Sequence, residues 1–168
     1  MAILKNTEEL KNELGSLIWR MATNLVHGGK VSPVQFMDYT LGGLFYRFIS
    51  ENISDYCNQL MADAGVQNPD YANMNDATAE NARDQIINAK GFFILPSQLF
   101  VNVANGASKN TELNTTLANN FKAIEQSAIG KPSENDVKGL FSNFNTNDNG
   151  LGTTVGERNE LLTTLLES

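Results

Sequence analysis

Apolar side chains recur at helical spacing along most of the chain, and this periodicity predicts an all-α fold. The first run follows Asn6, which can cap a helix together with Glu9 three residues later. Its apolar residues share one helical face: Leu10, Leu14, Leu17, Ile18, Met21, Ala22 and Leu25. A first helix is therefore predicted, ending at the glycines that follow His27.

The second run predicts one long amphipathic helix from about residue 32 to 64. Ser32 is its expected N-cap, Pro33 suits the first helical turn, and Gln35 completes a capping box. The apolar positions continue at helical spacing: Met37, Leu41, Leu44, Phe45, Phe48, Ile49, Ile53, Tyr56 and Leu60. Gly65 ends the pattern.

Two adjacent glycines, Gly42 and Gly43, interrupt this second run. Glycine within a helix costs about 1 kcal/mol relative to alanine. We therefore expect them to permit close approach of another helix, with the first predicted helix as the candidate. Residues 1–64 would then form a helical hairpin.

The remainder predicts shorter helices and one extended segment. A weakly amphipathic helix is expected from about Ala77 to Ala89. Residues 91–96 form a short apolar run bounded by glycine and proline, which favours a buried extended segment. Further short helices are expected: one capped by Ser97 and running to Ala104, one from Asn110 or Thr111 onward, one capped by Ser133, and one over Val155–Glu167. The predicted architecture is one irregular helical bundle over residues 1–168, with shorter helices in 77–168.

The charge balance bears on possible partners. Twelve basic and nineteen acidic residues give a formal net charge of −7. Such a surface repels phosphate, so contact with DNA must be local or shared with a more basic partner. Among the scattered basic residues we select Arg20, Lys30 and Arg47 as candidate contacts to a partner or DNA. Arg47 lies among aromatic residues and could instead pair with Glu51 four residues on.

Several features indicate a cytoplasmic protein with no membrane association. Met1–Asn12 lacks the basic start and apolar run of a signal peptide. No window approaches the roughly 20 apolar residues of a membrane span. The one cysteine, Cys57, excludes an internal disulfide and is expected to be a semi-buried small hydrophobe. Trp19 is expected to pack, and His27 to lie at a helix C-terminus.

Four segments, in order along the chain, carry a family resemblance. They are Leu17-Ile18-Trp19-Arg20-Met21-Ala22 with Tyr39–Glu51, then Gly91-Phe92-Phe93-Ile94-Leu95-Pro96, then Gly139-Leu140-Phe141 with Leu151–Thr154, and lastly Arg158-Asn159 with Leu161-Leu162. In this order they resemble the N-terminal helical domain of type I restriction–modification methyltransferase subunits. Each segment alone is a weak signal, and the four in register are fairly specific.

The resemblance implies a role within a larger enzyme. In that family the helical domain precedes a catalytic domain that binds S-adenosylmethionine and methylates adenine N6. Two modification subunits join one specificity subunit, which reads the DNA sequence, and a restriction subunit can add to the complex. The helical domain helps the modification subunits to embrace DNA and each other.

The residues themselves predict no catalytic, cofactor or metal site in this chain. Asn68-Pro69-Asp70-Tyr71 lacks the second proline of the family's catalytic loop and reads as a turn. Asp148–Gly152 lacks the strand and helix that a nucleotide-binding glycine loop needs. Residues 145–156 imitate a calcium loop but begin at Asn145 and place Gly156 at the twelfth position, so a capped polar loop is expected.

Two functions of different class remain open at this point. The first is an assembly and DNA-clamping domain of an adenine methyltransferase whose catalytic domain is not in this chain. The alternative is a stand-alone helical adaptor that binds a protein and is unrelated to DNA modification. A small enzyme in its own right is disfavoured, because no nucleophile–base or metal constellation stands out.

Overall fold

A computed structural model describes residues 32–167, and the predicted first helix with Trp19, Arg20, His27 and Lys30 lies outside that range. Seven α-helices occur in the described residues: α1 Pro33–Asp63, α2 Asp76–Glu80, α3 Arg83–Lys90, α4 Phe100–Gly106, α5 Leu113–Ser127, α6 Glu134–Val137 and α7 Val155–Leu166. Three 3-10 turns lie between them: Tyr71–Asn73, Pro96–Gln98 and Ala107–Lys109. Residues 32–167 contain no β-strand.

Helix α1 confirms the predicted long helix almost to the residue. The Ser32 hydroxyl accepts the Gln35 backbone N–H at 3.3 Å, and the Gln35 side chain accepts the Ser32 N–H at 3.2 Å. These bonds satisfy two amide groups that the start of a helix otherwise leaves unpaired. At the other end Gly65 adopts the left-handed conformation, with φ of 86°. Helix α7 is confirmed in the same way, with Thr154 and Glu157 forming its capping box.

One helix was predicted over 77–89, but the structure has two, α2 and α3. The prediction is wrong at residues 81–82, where the helix is interrupted. Asn75 caps α2 by accepting the Thr78 N–H at 2.8 Å. The carboxylate of Asp76 then accepts both the backbone N–H and the hydroxyl of Ser97, at 3.0 and 2.6 Å. These bonds fix the start of α2 against the segment before α4.

The same bonds correct the capping role predicted for Ser97. Because its hydroxyl is committed to Asp76, it does not cap a helix, and α4 begins at Phe100 without a side-chain cap. Ser133 precedes α6 as predicted, but its hydroxyl donates to the carbonyl of Gly91 rather than capping. The Asn110 side chain accepts the N–H of Glu112 just before α5 begins.

The segment over residues 91–96 is extended and buried, as predicted. Gly91 ends α3 in the left-handed conformation, and Ile94 is fully buried. The Phe93 N–H donates to the Ser127 hydroxyl at 2.9 Å, and the Tyr71 hydroxyl donates to the Ile94 carbonyl at 2.8 Å. These partners replace the ladder that a strand would supply.

An aromatic cluster forms the centre of the core. Phe121 of α5 stacks on Phe141 at 4.1 Å, and Tyr46 of α1 meets both rings edge to face. Phe144 contacts Phe121 and also Tyr39 of α1. The cluster joins α1 and α5 to the loop before α7, so the two halves of the described chain share one core.

Candidate protein interface on helix α1

Helix α1 carries apolar residues on two faces, one buried and one exposed, which adjoin at Phe45, whose ring contacts Phe141 of the core edge to face. Its inner face contributes residues that are at most 4% exposed: Tyr39, Tyr46, Ile49, Ile53 and Cys57. The Tyr46 hydroxyl donates to the carbonyl of Gln98, and its burial raises the pKa of that phenol. The inner face is therefore fully used by the fold.

The outer face is apolar but exposed, and we name it the outer stripe. Its five residues, with the fraction of each that is exposed, are Val34 at 65%, Met37 at 53%, Leu41 at 55%, Phe45 at 38% and Phe48 at 62%. They recur every three or four positions and so line one side of the helix. A contiguous apolar band of this kind is typical of an interaction surface.

Arg47 is the predicted contact residue that the structure describes, and it lies on α1. Its Nε atom is 2.8 Å from Glu51 Oε1, and the two side chains are 47% and 61% exposed. The guanidinium carbon also lies 5.7 Å from the centroid of the Phe100 ring. The predicted pairing with Glu51 is therefore present, and the group stays open to a further partner.

The two glycines of α1 admit neighbours from the C-terminal third of the chain. A Cβ placed on Gly42 would lie 2.7 Å from Cδ1 of Phe144, and one on Gly43 would lie 3.2 Å from Cδ2 of Leu165. The expectation of close approach is confirmed. Within residues 32–167 the neighbours are Phe144 and helix α7, and the first predicted helix lies outside this range.

Cys57 is more deeply buried than predicted, at 4% exposed. Loss of solvent around the thiol raises its pKa to about 11, although nearby Lys90 works in the opposite direction. The thiolate is the reactive form of cysteine. A small buried hydrophobe, as the sequence indicated, is therefore the role that this environment supports.

The segments that imitate functional loops serve the fold. In the first, Asp70 accepts the N–H of Asn73 and opens the 3-10 turn, while Tyr71 is 2% exposed. In the second, Asn145 accepts the N–H of Asn147, and Asp148 accepts that of Gly150. Across residues 32–167, no group of three or more His, Cys, Asp or Glu side chains is placed to hold a metal ion.

Sequence reasoning missed the role of Asn159, a residue of the Arg158-Asn159 motif. Its Oδ1 accepts the N–H of Asn114 at 2.9 Å, and its Nδ2 donates to the carbonyl of Thr111 at 2.6 Å. Asn159 thus caps the start of α5 from α7, where α5 has no capping side chain of its own. The motif gave the signal, but the partner lies 45 residues away.

The described helices give no membrane-spanning candidate, since none over residues 32–167 combines sufficient length with sufficient apolarity. Four of the eight basic side chains in this range contact an acid or an aromatic ring: Arg47, Arg83, Lys90 and Lys131. Arg83 pairs with Glu80 and lies 4.6 Å from the Phe93 ring centroid, and Lys131 lies 3.5 Å from Asp84. The outer stripe of α1 is therefore the surface feature of residues 32–167 that we consider further.

Comparison with known proteins agrees with this architecture. The type I restriction enzyme MpnII methylase subunit of Mycoplasma pneumoniae is 40% identical over 173 residues, which cover 98% of this chain and 31% of the relative. The crystal structure of the type I restriction-modification system methyltransferase subunit from Streptococcus thermophilus superimposes with a TM-score of 0.72 at 19% identity. That match covers 93% of this chain and 33% of the other, and it confirms the all-α fold.

The chain spans about a third of the length of each of these relatives. The model of the HsdM N-terminal domain matches residues 14–168, which is nearly the whole sequence. The ordered motifs that resembled type I modification subunits lie within this match, and the chain belongs to the HsdM N-terminal domain family.

Proposed function

We propose that this chain is the assembly and DNA-clamping domain of a type I restriction–modification methyltransferase subunit. The observation that carries the proposal is the family match over residues 14–168, together with 40% identity to a type I methylase subunit. The complete enzyme would methylate adenine N6 in DNA with S-adenosylmethionine as its cofactor. An adaptor unrelated to DNA modification does not account for the family match.

The charge and surface of the domain favour binding to other subunits over direct binding to DNA. With a net charge of −7, the chain gains little from phosphate contacts by itself. Arg47, which is 47% exposed, is suited instead to a protein surface, where arginine is favoured. We infer that the domain reaches DNA through the assembled complex.

The proposed partners are a specificity subunit, a second modification subunit and a restriction subunit, acting in the cytoplasm. Of the candidate contact residues, Arg47 is the one with a described environment, and Arg20 and Lys30 remain proposals from the sequence. Reading the gene beyond Ser168 tests the larger assignment. An Asn-Pro-Pro-Phe or Asn-Pro-Pro-Tyr motif downstream is expected, and a stop codon directly after Ser168 would contradict it.

Calorimetry with S-adenosylmethionine tests whether the cofactor binds to the downstream catalytic domain and not to this chain. The 168-residue chain is expected to give no heat of binding, because neither the glycine-rich nor the catalytic-loop pattern is present. Stoichiometric, tight binding to this chain would contradict the proposal. The downstream catalytic domain, added as part of the complete subunit, is expected to restore the binding signal.

The assembly role is tested with Arg47→Glu in the complete subunit, mixed with its specificity subunit. Sedimentation velocity is expected to show a weakened complex, and DNA adenine methylation should fall in parallel. Lys122→Glu makes the same charge change on an exposed position of α5 and serves as the control. Equal behaviour of both variants and the wild type would remove Arg47 from the interface.

A further inference from the structure

The outer stripe is long enough to receive about four turns of a helix. From Val34 to Phe48 it extends over fourteen residue steps, or roughly 21 Å at the helical rise. Its members are 38 to 65% exposed, whereas the inner face of the same helix is almost completely buried. An exposed apolar band of this size marks a site at which another element can pack.

The sequence just before α1 carries a matching apolar pattern. In an antiparallel pair of helices, each step forward on one helix is a step backward on the other, since both rise about 1.5 Å per residue. With Leu25 opposite Val34, Ile18 falls opposite Leu41 and Leu14 opposite Phe45, while Met21 with Met37 and Leu10 with Phe48 fall within one residue of opposite positions. Every member of the outer stripe thus acquires an apolar partner.

The connection between the two segments has a suitable length. Six residues, Val26 to Val31, lie between Leu25, the last residue of the apolar segment, and the N-cap Ser32. They include Gly28 and Gly29. Helix–helix connections in bundles usually contain two to eight residues, so an antiparallel hairpin closes without strain. The family match begins at residue 14, so most of this segment belongs to the same domain.

Charge agrees with the same register. It brings Glu13 close to Arg47, which is the one basic residue in α1. Arg47 is half exposed and pairs with Glu51 through its Nε atom, which leaves its terminal nitrogens available to a second carboxylate.

We propose that the segment Leu10–Leu25, as a helix, docks antiparallel on the outer stripe of α1, with Leu14 opposite Phe45. The occupant of the stripe is therefore this chain itself, and the surface offered to partners is the outer side of the resulting hairpin. This inference does not depend on the proposed function, because it concerns packing within one chain.

Cysteine cross-linking in the full 168-residue chain tests the register. Leu14→Cys with Phe45→Cys forms the in-register pair, and Leu14→Cys with Val34→Cys is the control, displaced by eleven residues or roughly 16 Å along α1. A short bis-maleimide is expected to link the first pair within one chain several-fold faster than the second. The wild-type chain, with its buried Cys57, gives the background.

Two results would overturn the proposal. Equal rates for the two pairs would show that the register is wrong. Cross-linked dimers from the single variant Phe45→Cys, in place of the intrachain product, would show that a second copy covers the stripe. Retained helical circular dichroism in each variant verifies that folding is intact.

A second measurement does not depend on cysteine chemistry. Leu41→Ser in the full chain is expected to lower Tm by about 4 °C or more, because it would place a hydroxyl in the hairpin seam. Ile129→Ser, at a position 62% exposed and distant from the seam in sequence, is the matched control and should change Tm by about 1 °C or less. Equal small shifts for both variants would overturn the docking.

Discussion

The two faces of α1 are both apolar, but one is buried and the other is largely exposed. Residues such as Tyr46 and Ile53 on the inner face are fully buried, whereas Leu41 and Phe48 on the outer stripe remain mostly exposed among the described residues. Burial of a large apolar side chain contributes roughly 1.5–3 kcal/mol relative to leaving it exposed. The hydrophobicity of a residue in this helix therefore does not tell which face is buried among residues 32–167, and only the packing does.

The largest expected effect is loss of an inner-face side chain. Ile53→Ala should reduce the free energy of unfolding by about 2–5 kcal/mol, since it removes a fully buried side chain from a packed core. Urea unfolding followed by circular dichroism measures this change. A loss below about 1 kcal/mol would indicate that the inner face is loosely packed.

A smaller loss of stability is expected at Asn159, which connects α7 to the start of α5. Asn159→Ala removes the two hydrogen bonds that tie α7 to the start of α5, and it should cost about 1–3 kcal/mol. Thr163→Ala, a further change on α7, is the control. If the two variants unfold at the same urea concentration, Asn159 does not hold the two helices together.

Substitution of Gly42 and of Gly43 compares a rigid neighbour of α1 with one that can adjust. Gly42→Ala should destabilise by about 1 kcal/mol, because the added methyl would clash with a Phe144 ring fixed in the aromatic cluster, which outweighs the gain in helix propensity. Gly43→Ala meets a Leu165 methyl at 3.2 Å and should be close to neutral. Thermal unfolding of the two variants should reveal this order, and the reverse order would contradict it.

The smallest effect is expected at the surface ion pair. Arg47→Gln should change the free energy of unfolding by about 0.5 kcal/mol or less, because both partners of the pair with Glu51 are largely exposed. The same substitution should weaken subunit assembly measurably. A stability loss above about 1.5 kcal/mol would assign Arg47 to the fold rather than to an interface.

Local signals in the sequence predicted α1 and α7 well, because the capping box at Ser32 and the apolar spacing of both helices depend only on nearby residues. Prediction failed where distant partners decide the structure. The altered role of Ser97 depends on a hydrogen bond to Asp76, 21 residues away. The periodicity of α1 likewise located its apolar residues without dividing them between its two faces.

The candidate site was predictable only in part. Arg47 stood out because it lies among aromatic residues, and its pair with Glu51 follows from helical spacing. The outer stripe could not be recognised from the sequence, because exposure is a property of the folded chain. Asn159 was part of a recognised motif, yet its capping of α5 required the contact between α5 and α7.

Oxidation of Met37 tests most directly whether the outer stripe is covered in the intact chain. Methionine oxidation follows exposure, so dilute peroxide followed by peptide mass spectrometry reads the cover at this position. In the full 168-residue chain Met37 should oxidise slowly, and Leu17→Asp in the proposed docking segment should accelerate it several-fold without changing the rate at Met74. Rapid oxidation of Met37 in both proteins would contradict the proposed hairpin and leave the stripe open to an external partner.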